Sequence, residues 1–430
     1  MKTNTILVGI TISLLLLTLP SAASDYTLDI FGNANEDETV NMQDVTYTEL
    51  IILEYRDKTE LSDAKYDGKI NMQDVTQIEL TILGKEKELT VIDAMEHIVT
   101  VKKPLRSVIV FVPGQFETLR SLNAADTVVG MPQDKVWDPV FFPEMSELTS
   151  LGYKWDADIE TILSLHPDAA ILHTDDRQLK VRGALEKTNP NIALLTFACT
   201  NTPLEPTRFP PDLSSVYPYP KEVRMLGYIF DKREEAEEFS DWYEDILNSI
   251  KEEVDMIPEE DKPKVYYEFT KYSCRDHNYR VICAGGKNIF GMGRKFDPEA
   301  VIDRDPEIIV NLPMSIKGGY DKDADDITEL RGVWGDFMDP DDPEYRPELA
   351  KVSAVRNNRI YILANVFSTA SSGANGARCF IEVAYMAKWF HPTLFEDLDP
   401  KAIHQEYLTR FQGLDIDLDE KGVFVYPEPS

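Results

Sequence analysis

Two stretches of the chain, 139 residues apart, follow the same pattern. Residues 158–172 contain an Asp-x-Glu start, a short apolar helix, a proline and an apolar strand, and residues 297–310 repeat that order. In both stretches a glutamate lies seven residues before the proline, as Glu160 before Pro167 and Glu299 before Pro306. One such unit is common in α/β proteins, but two distant copies predict two similar lobes, each with its own sheet.

Alternating strand and helix patterns fill both lobes. Residues 107–112 form a β-rich apolar run closed by Pro-Gly, a helical pattern follows, and residues 127–130 form the next strand. This alternation is typical of a largely parallel sheet covered by helices. We therefore predict an α/β fold with two Rossmann-like lobes, lobe one at residues 88–218 and lobe two at residues 263–430.

A helical bridge is predicted between the lobes, at residues 219–258. Apolar residues from Phe239 to Val254 keep helical spacing, with acidic residues on the opposite face. A break near Asp231 precedes this pattern and Pro258 ends it. We expect a long rigid helix that permits only small closures of the lobes.

The N-terminus and the charge balance indicate an exported protein that does not bind nucleic acid. Lys2, an apolar run over residues 6–19 and a small-residue end predict a signal peptide at residues 1–23, with an uncleaved anchor as the alternative. No lipid-accepting cysteine follows this segment. The net charge of −32 is opposite in sign to that of a nucleic-acid-binding surface.

A loop-helix sequence occurs twice before the lobes. Residues 33–44 place oxygen-bearing side chains at loop positions 1, 3, 5, 9 and 12, with a carbonyl at position 7, which suits a hard cation such as Ca²⁺, and residues 63–74 do the same except at position 3. The alternative is two ordinary Asp/Asn-rich turns. The predicted ligands are Asn33, Asn35, Asp37, Thr39 (carbonyl), Asn41 and Asp44 in loop one, and Asp63, Asp67, Lys69 (carbonyl), Asn71 and Asp74 in loop two.

The duplicated segment, residues 25–84, resembles a dockerin module, a small all-α calcium-loop domain that binds a cohesin-type protein. That resemblance implies Ca²⁺ as cofactor and a cohesin-type partner. Two positions depart from the pattern. Loop one has Glu38 where a glycine is usual, and loop two has Lys65 at a ligand position that an ammonium group cannot fill. We expect loop two to bind calcium weakly or not at all.

Residues 88–428 resemble the substrate-binding proteins of ABC importers for vitamin B12, ferric siderophores and haem. The markers are the opening at residues 89–94, the paired Glu-to-Pro units, and the segments at 284–290 and 352–361. The ending, at 389–400, is typical of archaeal members. The resemblance implies that Glu160 and Glu299 dock onto arginines of a membrane permease. Each is also a glutamate in a first helical turn, where the helix dipole favours an acid.

The resemblance places the ligand, an iron-siderophore, corrinoid or haem-like chelate, between the lobes. Aromatic rings would stack on such a ligand and arginines would pair with its carboxylates. A bare metal ion is a weaker alternative, because few of the six histidines could reach the cleft. The candidate ligand-binding residues are Gln115, Phe116, Trp155, His173, Thr174, Tyr272, Arg275, Arg294, Phe367 and Arg378.

Two other functions stay open at this point. The chain could be a structural surface protein whose dockerin-like module is the functional part, or a dockerin-borne enzyme acting on glycans. No G-x-S-x-G or H-E-x-x-H motif occurs, so no enzyme is predicted. Cys274 and Cys283 could form a disulfide or remain free thiols, and a thiolate metal site is the least favoured choice.

Overall fold

The computed structural model describes residues 26–133, 138–174, 176–197, 218–274, 278–290, 295–313, 318–367 and 377–429. The predicted signal peptide lies outside these residues. Three parts follow one another: an N-terminal unit (residues 26–84), lobe one and lobe two. No helix in the described part of the chain is both long enough and apolar enough to cross a membrane.

The N-terminal unit is built from the duplicated sequence. Its helices α1 (Met42–Ile52) and α2 (Met72–Leu83) pack against each other. Each helix begins with the same cap, because the carboxylates of Asp44 and Asp74 accept a hydrogen bond, 2.8 Å long, from the backbone N–H of Asn41 and Asn71. Leu28, Ile30, Val45, Val75 and Ile78 form the buried core.

Lobe one contains a five-stranded parallel sheet in the order β5-β4-β3-β8-β9. Strands β3, β8 and β9 are buried along their whole length, as expected for a sheet covered on both faces. Two antiparallel hairpins, β1-β2 and β6-β7, flank the sheet. The elements are β1 (Glu88–Ile92), β2 (Ile98–Lys102), β3 (Val108–Val110), α3 (Pro113–Ser121), β4 (Val128–Met131), β5 (Thr149–Ser150), β6 (Gly152–Tyr153), β7 (Asp156–Ala157), α4 (Ile159–Ser164), β8 (Ala169–Leu172), α5 (Leu179–Thr188) and β9 (Ala193–Thr196).

The bridge between the lobes is a pair of helices, α6 (Pro218–Ile229) and α7 (Arg233–Asp255). The chain turns between them at Asp231, whose φ is +58°. Arg224 on α6 contacts Glu237, Asp241 and Glu244 on α7, which shows that the two helices run antiparallel. The predicted break near Asp231 is present, and α7, with 23 residues, is the long helix expected after it. The expectation that this helix is rigid and permits only small closures of the lobes stays a prediction.

Lobe two contains a second five-stranded sheet in the order β11-β10-β12-β14-β16, parallel except for β16. Helix α7 packs on α3 of lobe one and on α8 and α12 of lobe two, so it contacts both lobes. The α/β fold with parallel sheets is confirmed. The elements are β10 (Lys264–Glu268), α8 (Asn278–Cys283), β11 (Lys287–Asn288), α9 (Pro298–Arg304), β12 (Ile308–Asn311), β13 (Gly319–Asp323), α10 (Thr328–Met338), α11 (Ser353–Arg356), β14 (Ile360–Leu363), α12 (Cys379–Phe390), α13 (Pro400–Glu406), β15 (Lys421–Val423) and β16 (Val425–Tyr426).

The N-terminal unit is packed directly onto the rest of the chain. Its backbone meets β1, where Phe31 N–H donates to the carbonyl of Thr90 and Ile92 N–H donates to that of Asp29, both at 2.9 Å. Arg233 at the start of α7 donates to the carbonyl of Thr81, at 2.7 Å, in the last turn of α2. Apolar residues of the unit belong to the same buried cluster as those of the lobes. We call the two lobes and the helical pair between them (residues 88–429) the substrate domain, after the resemblance noted above. The N-terminal unit and the substrate domain share one core.

Candidate functional site

Each lobe presents one glutamate at the start of a short helix. Asp158 caps α4 by accepting a hydrogen bond from the N–H of Glu160, and Asp297 caps α9 by accepting one from the N–H of Glu299, both at 3.0 Å. Both glutamates are exposed. The paired pattern in the sequence therefore folds into two equivalent carboxylates, one on each lobe, that are free to meet a partner.

The carboxyl ends of the parallel strands define the expected ligand cleft. In lobe one, β8 ends at Leu172, and His173 and Thr174 follow it. In lobe two, β10 ends at Glu268 and β12 ends at Asn311. Several loops after these strands, at 198–217, 275–277, 291–294 and 368–376, lie outside the described residues, and so do the candidates Arg275 and Arg294.

An aromatic and cationic cluster lies at the strand ends of lobe one. Trp155, in the β6-β7 turn, is half-buried, and the Arg177 guanidinium carbon lies 3.8 Å from the centre of its ring. The Lys154 ammonium lies 5.3 Å from the same ring, and the His173 ring lies 6.2 Å away, edge-on. We call Lys154, Trp155, His173 and Arg177 the rim cluster. The sequence indicated Trp155 and His173 but missed the two cations.

A shallow pocket adjoins the rim cluster. It is open to solvent and has a cavity volume of about 10 Å³, which is room for about one water molecule. Ligand pockets usually hold roughly 300–1,000 Å³, so this pocket alone is far too small for a bulky chelate. Its lining residues are Met95, His97, Leu172, His173, Thr174, Asp176, Gln178, Leu179, Arg182 and Thr196.

Three of the ligand-binding candidates are core residues in this structure. Gln115 is fully buried: its amide oxygen accepts from Phe111 N–H at 2.9 Å, and its amide nitrogen donates to the carbonyls of Leu172 and Phe197 at 2.9 and 3.0 Å. Its polar atoms thus hold strand ends together. Phe116 and Phe367 are also buried among apolar side chains. The structure gives these three side chains packing roles, so we no longer assign them to the ligand.

Arg378 joins the two lobes. Its Nε lies 2.9 Å from Oε1 of Glu117 on α3, and its Nη2 donates to Oε2 at 3.2 Å. Tyr407 also donates to Glu117 Oε1, at 2.6 Å. All three side chains are buried, and the Glu117 carboxylate raises the already high pKa of Arg378 against the effect of burial. Arg378 was predicted to bind the ligand, but the structure places it in an ion pair between the lobes.

Tyr272 belongs to a buried network in lobe two. The Glu268 carboxylate accepts hydrogen bonds from both terminal nitrogens of Arg346, at 2.8 and 2.9 Å, and from the N–H of Tyr272 at 2.8 Å. Tyr272 has φ of +58°, its hydroxyl donates to Glu348, and burial raises its pKa. Only a small part of the side chain is exposed. Tyr272 is thus held rigidly at the end of β10.

Cysteines and histidines supply no metal site in the described part of the chain. Cys274 and Cys283 are buried and not joined by a disulfide. His404 is buried, hydrogen-bonds Tyr320 at 2.8 Å, and has its pKa held well below the usual range by burial. Within the described ranges, no three His, Cys, Asp or Glu side chains converge on a possible metal position.

The duplicated loops differ from a His, Cys or carboxylate cluster, because side-chain amides and backbone carbonyls stand beside the carboxylates as possible oxygen ligands. In loop one the Asp44 carboxylate is fully buried, and burial raises its pKa to about 6. Its hydrogen bonds come from the backbone N–H groups of Asn35 and Asn41, and no basic side chain of the described residues forms an ion pair with it. A buried carboxylate in this position is stabilised by a cation, so the donor chemistry of loop one fits Ca²⁺.

Loop two fits a cation less well. The Lys65 side chain stands at the third position of the loop and is exposed, and it supplies no oxygen. Burial raises the pKa of Asp74, but the other loop-two residues from 65 to 69 are exposed. Gly68 has φ of +83°, whereas the corresponding Glu38 does not adopt a positive φ. Loop one therefore turns without the glycine that is usual at this position.

A comparison with known families decides the class of the protein. The family model for periplasmic binding proteins matches residues 108–366, more than half of the chain. The chain belongs to the periplasmic binding protein family. Its matched region runs from β3 of lobe one to the end of β14 in lobe two and includes both Glu160 and Glu299. This family binds solutes outside the cytoplasm, so the chain is assigned to an extracytoplasmic location.

Individual relatives agree with this assignment. YvrC of Bacillus subtilis, an uncharacterized ABC transporter substrate-binding lipoprotein, is 21% identical over 319 residues, covering 72% of this chain and 87% of YvrC. The TroA-like periplasmic binding protein FepB from Veillonella parvula has a TM-score of 0.61 at 20% identity, covering 78% of this chain and 98% of FepB.

The siderophore-binding protein BauB, solved with two acinetobactin molecules and ferric iron, has a TM-score of 0.51 at 16% identity, covering 70% of this chain and 98% of BauB. The structural likenesses show the shared fold. The names of these three relatives describe periplasmic, substrate-binding or siderophore-binding proteins.

Proposed function

We propose that this protein captures a metal chelate between its two lobes and delivers it to an ABC importer. The observation that carries the proposal is the pair of equivalent, exposed glutamates, Glu160 and Glu299, one on each of two separate α/β lobes. A permease that contacts both carboxylates can sense the two lobes together, and complementary charge sets the register of docking.

The rim cluster supports an anionic chelate with a flat or apolar face as the ligand. A half-buried indole offers a stacking surface, and Arg177 and Lys154 beside it supply positive charge. Ferric siderophores, corrinoids and haem combine these properties in different proportions. BauB, which shares the fold, is a siderophore-binding protein. A ferric siderophore is therefore our first choice among the three.

A fluorescence titration tests the ligand. The purified chain is titrated with a ferric catecholate siderophore, cyanocobalamin, haemin and sodium molybdate. We expect saturable 1:1 quenching by one chelate, with binding at least tenfold weaker in Trp155→Ala and nearly unchanged in Trp155→Phe. Trp334→Ala is the matched control, because Trp334 packs on Tyr426 in lobe two. Saturable binding of molybdate alone, or equal binding by Trp155→Ala, contradicts the proposal.

A transport assay tests the docking role. Cells that depend on this protein for uptake of the radiolabelled chelate carry Glu160→Arg together with Glu299→Arg. We expect uptake to fall to background while the affinity for the chelate stays the same, because both changes lie on the exposed first turns of α4 and α9. Glu252→Arg, on the exposed face of α7, is the control and should keep uptake. Normal uptake by the double variant rejects this role.

The N-terminal unit is proposed to act as a calcium-dependent attachment module of the dockerin type. Its two helices expose matching apolar residues: Met42 and Met72 are 58% and 57% exposed, and Leu53 and Leu83 are 61% and 62% exposed. These four side chains are therefore equally accessible in the two copies. A cohesin-type protein is the expected partner, and Ca²⁺ in loop one is expected to stabilise the surface that it contacts.

Calorimetry and co-precipitation test the attachment module. We expect loop one to bind Ca²⁺ more tightly than loop two, because Lys65 removes a ligand from loop two. Asp44→Asn should abolish the tight site and Asp74→Asn should leave it. Calcium-dependent co-precipitation with a purified cohesin supports the partner. The absence of calcium binding in the native chain contradicts the module.

A further inference from the structure

The two calcium-type loops differ in how they contact the substrate domain. Loop one (residues 33–44) lies against α6, whereas loop two (residues 63–74) has its hydrogen bonds within the N-terminal unit. Residues 35–39 are half-buried and Val40 is buried, whereas the equivalent residues 65–69 are exposed and Ile70 is half-buried. Two loops with nearly the same sequence thus have different surroundings, and the difference comes from the substrate domain.

One side chain makes the closest contact with loop one. The hydroxyl oxygen of Tyr228, on α6, accepts a hydrogen bond from the N–H of Val40 at 3.1 Å. It also lies 3.3 Å from the carbonyl of Val40 and 3.5 Å from the hydroxyl of Thr39. The Tyr228 side chain is buried, 5% exposed, so water competes poorly for these bonds. The corresponding amide of loop two, that of Ile70, has no such partner among the described residues.

The hydrogen bond to Tyr228 fixes the orientation of the peptide group between Thr39 and Val40. The N–H of Val40 and the carbonyl of Thr39 belong to one planar trans peptide, so they point in opposite directions. With the N–H held at Tyr228, the carbonyl of Thr39 points away from α6. That carbonyl is at loop position 7, which supplies a backbone oxygen to the cation in loops of this pattern. A hydrogen bond to the N–H also polarises the carbonyl of the same peptide.

We propose that Tyr228 is a positioning residue for the cation of loop one: it orients and polarises the Thr39 carbonyl from the substrate-domain side. This inference rests on the proposed calcium site in loop one. Groups that orient a ligand without touching the metal typically change affinity by about tenfold to a hundredfold when removed. Tyr228 therefore makes the affinity of loop one depend on the packing of the substrate domain.

Tyr228 also connects loop one to the turn between α6 and α7. Its backbone carbonyl accepts a hydrogen bond from Lys103 Nζ at 2.6 Å, and the same ammonium lies 2.6 Å from Asp231 at the turn. Lys103 also pairs with Glu86, in the segment after α2. Calcium in loop one thus stabilises the junction that holds the helical pair in place. Linkage is reciprocal: the factor by which calcium favours packing of this junction equals the factor by which the packed junction raises the calcium affinity of loop one.

Calorimetric calcium titration of the full mature chain tests the inference. The background is Asp74→Asn, which leaves only loop one as a site, and Tyr228→Phe is added to it. We expect about tenfold weaker binding by the Tyr228→Phe chain. In the natural background, Tyr228→Phe should leave the affinity of loop two for calcium unchanged. Tyr66→Phe, which removes an exposed hydroxyl of loop two itself, should leave the affinity of loop one unchanged.

A second readout separates positioning from general destabilisation. Hydrogen exchange at the Val40 amide should accelerate in Tyr228→Phe with calcium present, while exchange in β3 and β12 stays slow. An affinity within twofold of the parent, in a chain with native circular dichroism, overturns the role of Tyr228 and leaves the calcium site standing. No calcium binding to the natural chain overturns the site and the inference together.

Discussion

The ion pair between Glu117 and Arg378 is a buried contact between the lobes whose loss should be costly. Glu117→Gln keeps the shape of the side chain but removes its negative charge, and Arg378 then lies buried without a counter-charge. Breaking one partner of a buried ion pair usually costs about 3–5 kcal/mol. Because the pair joins α3 of lobe one to the segment before α12 of lobe two, we expect the free energy of unfolding to fall by this amount.

Urea unfolding at pH 7.5 with fixed calcium, followed by circular dichroism and by tryptophan fluorescence, measures this cost. Arg378→Met together with Glu117→Gln should recover a large part of the loss, since the double variant leaves no unmatched buried charge. Glu238→Gln is the control, because its ion pair with Arg410 is exposed and should contribute less than about 1 kcal/mol. A loss below about 1 kcal/mol in Glu117→Gln refutes the reasoning.

Three further predictions concern packing, pH and attachment. Gly227→Ala should lower the free energy of unfolding in urea by about 1–3 kcal/mol, because the new alanine methyl group would lie 2.4 Å from the methyl group of Ala236 on the facing helix. Gly183→Ala is the control: its methyl group would enter open space, so the change should be neutral or stabilising. Burial raises the pKa of Asp336 to about 6. Between about pH 4 and 6 the native state therefore binds more protons than the unfolded state, and the free energy of unfolding falls as pH rises through that window. Asp336→Asn should therefore raise the melting temperature at pH 7 and not at pH 4, and equal shifts at both pH values would speak against this cause. Calcium chelation should release the protein from cell envelopes, and full retention in EDTA would reject calcium-dependent attachment.

Local sequence signals predicted the parts of the fold that depend on local chemistry. The paired Glu-to-Pro units folded as predicted because an aspartate cap, a short apolar helix and a buried strand are specified within fifteen residues. The repeated loop-helix folded into two helices with the same caps for the same reason. The break near Asp231 was also visible, but the direction of the chain after it was not. That direction depends on contacts such as Arg224 with Glu244, which form only when α6 and α7 pack.

The site was harder to predict because its residues take their roles from distant contacts. Gln115 follows a strand, as a ligand-binding residue would, but its side chain points inward and binds the ends of β8 and β9. Arg378 is a plausible anion receptor by type, yet its partner Glu117 lies 261 residues away in the sequence. Arg177 was missed although it follows β8 in an otherwise acidic stretch, which is a signal that could have been used.

Native mass spectrometry of the purified chain with a ferric catecholate siderophore, cyanocobalamin and haemin supplied together tests the central claim most directly. The account predicts one predominant adduct with a single chelate per chain, which disappears in Trp155→Ala and persists in Trp334→Ala. A spectrum with no adduct for any of the three chelates, at concentrations well above those in a periplasm or at a cell surface, would contradict it.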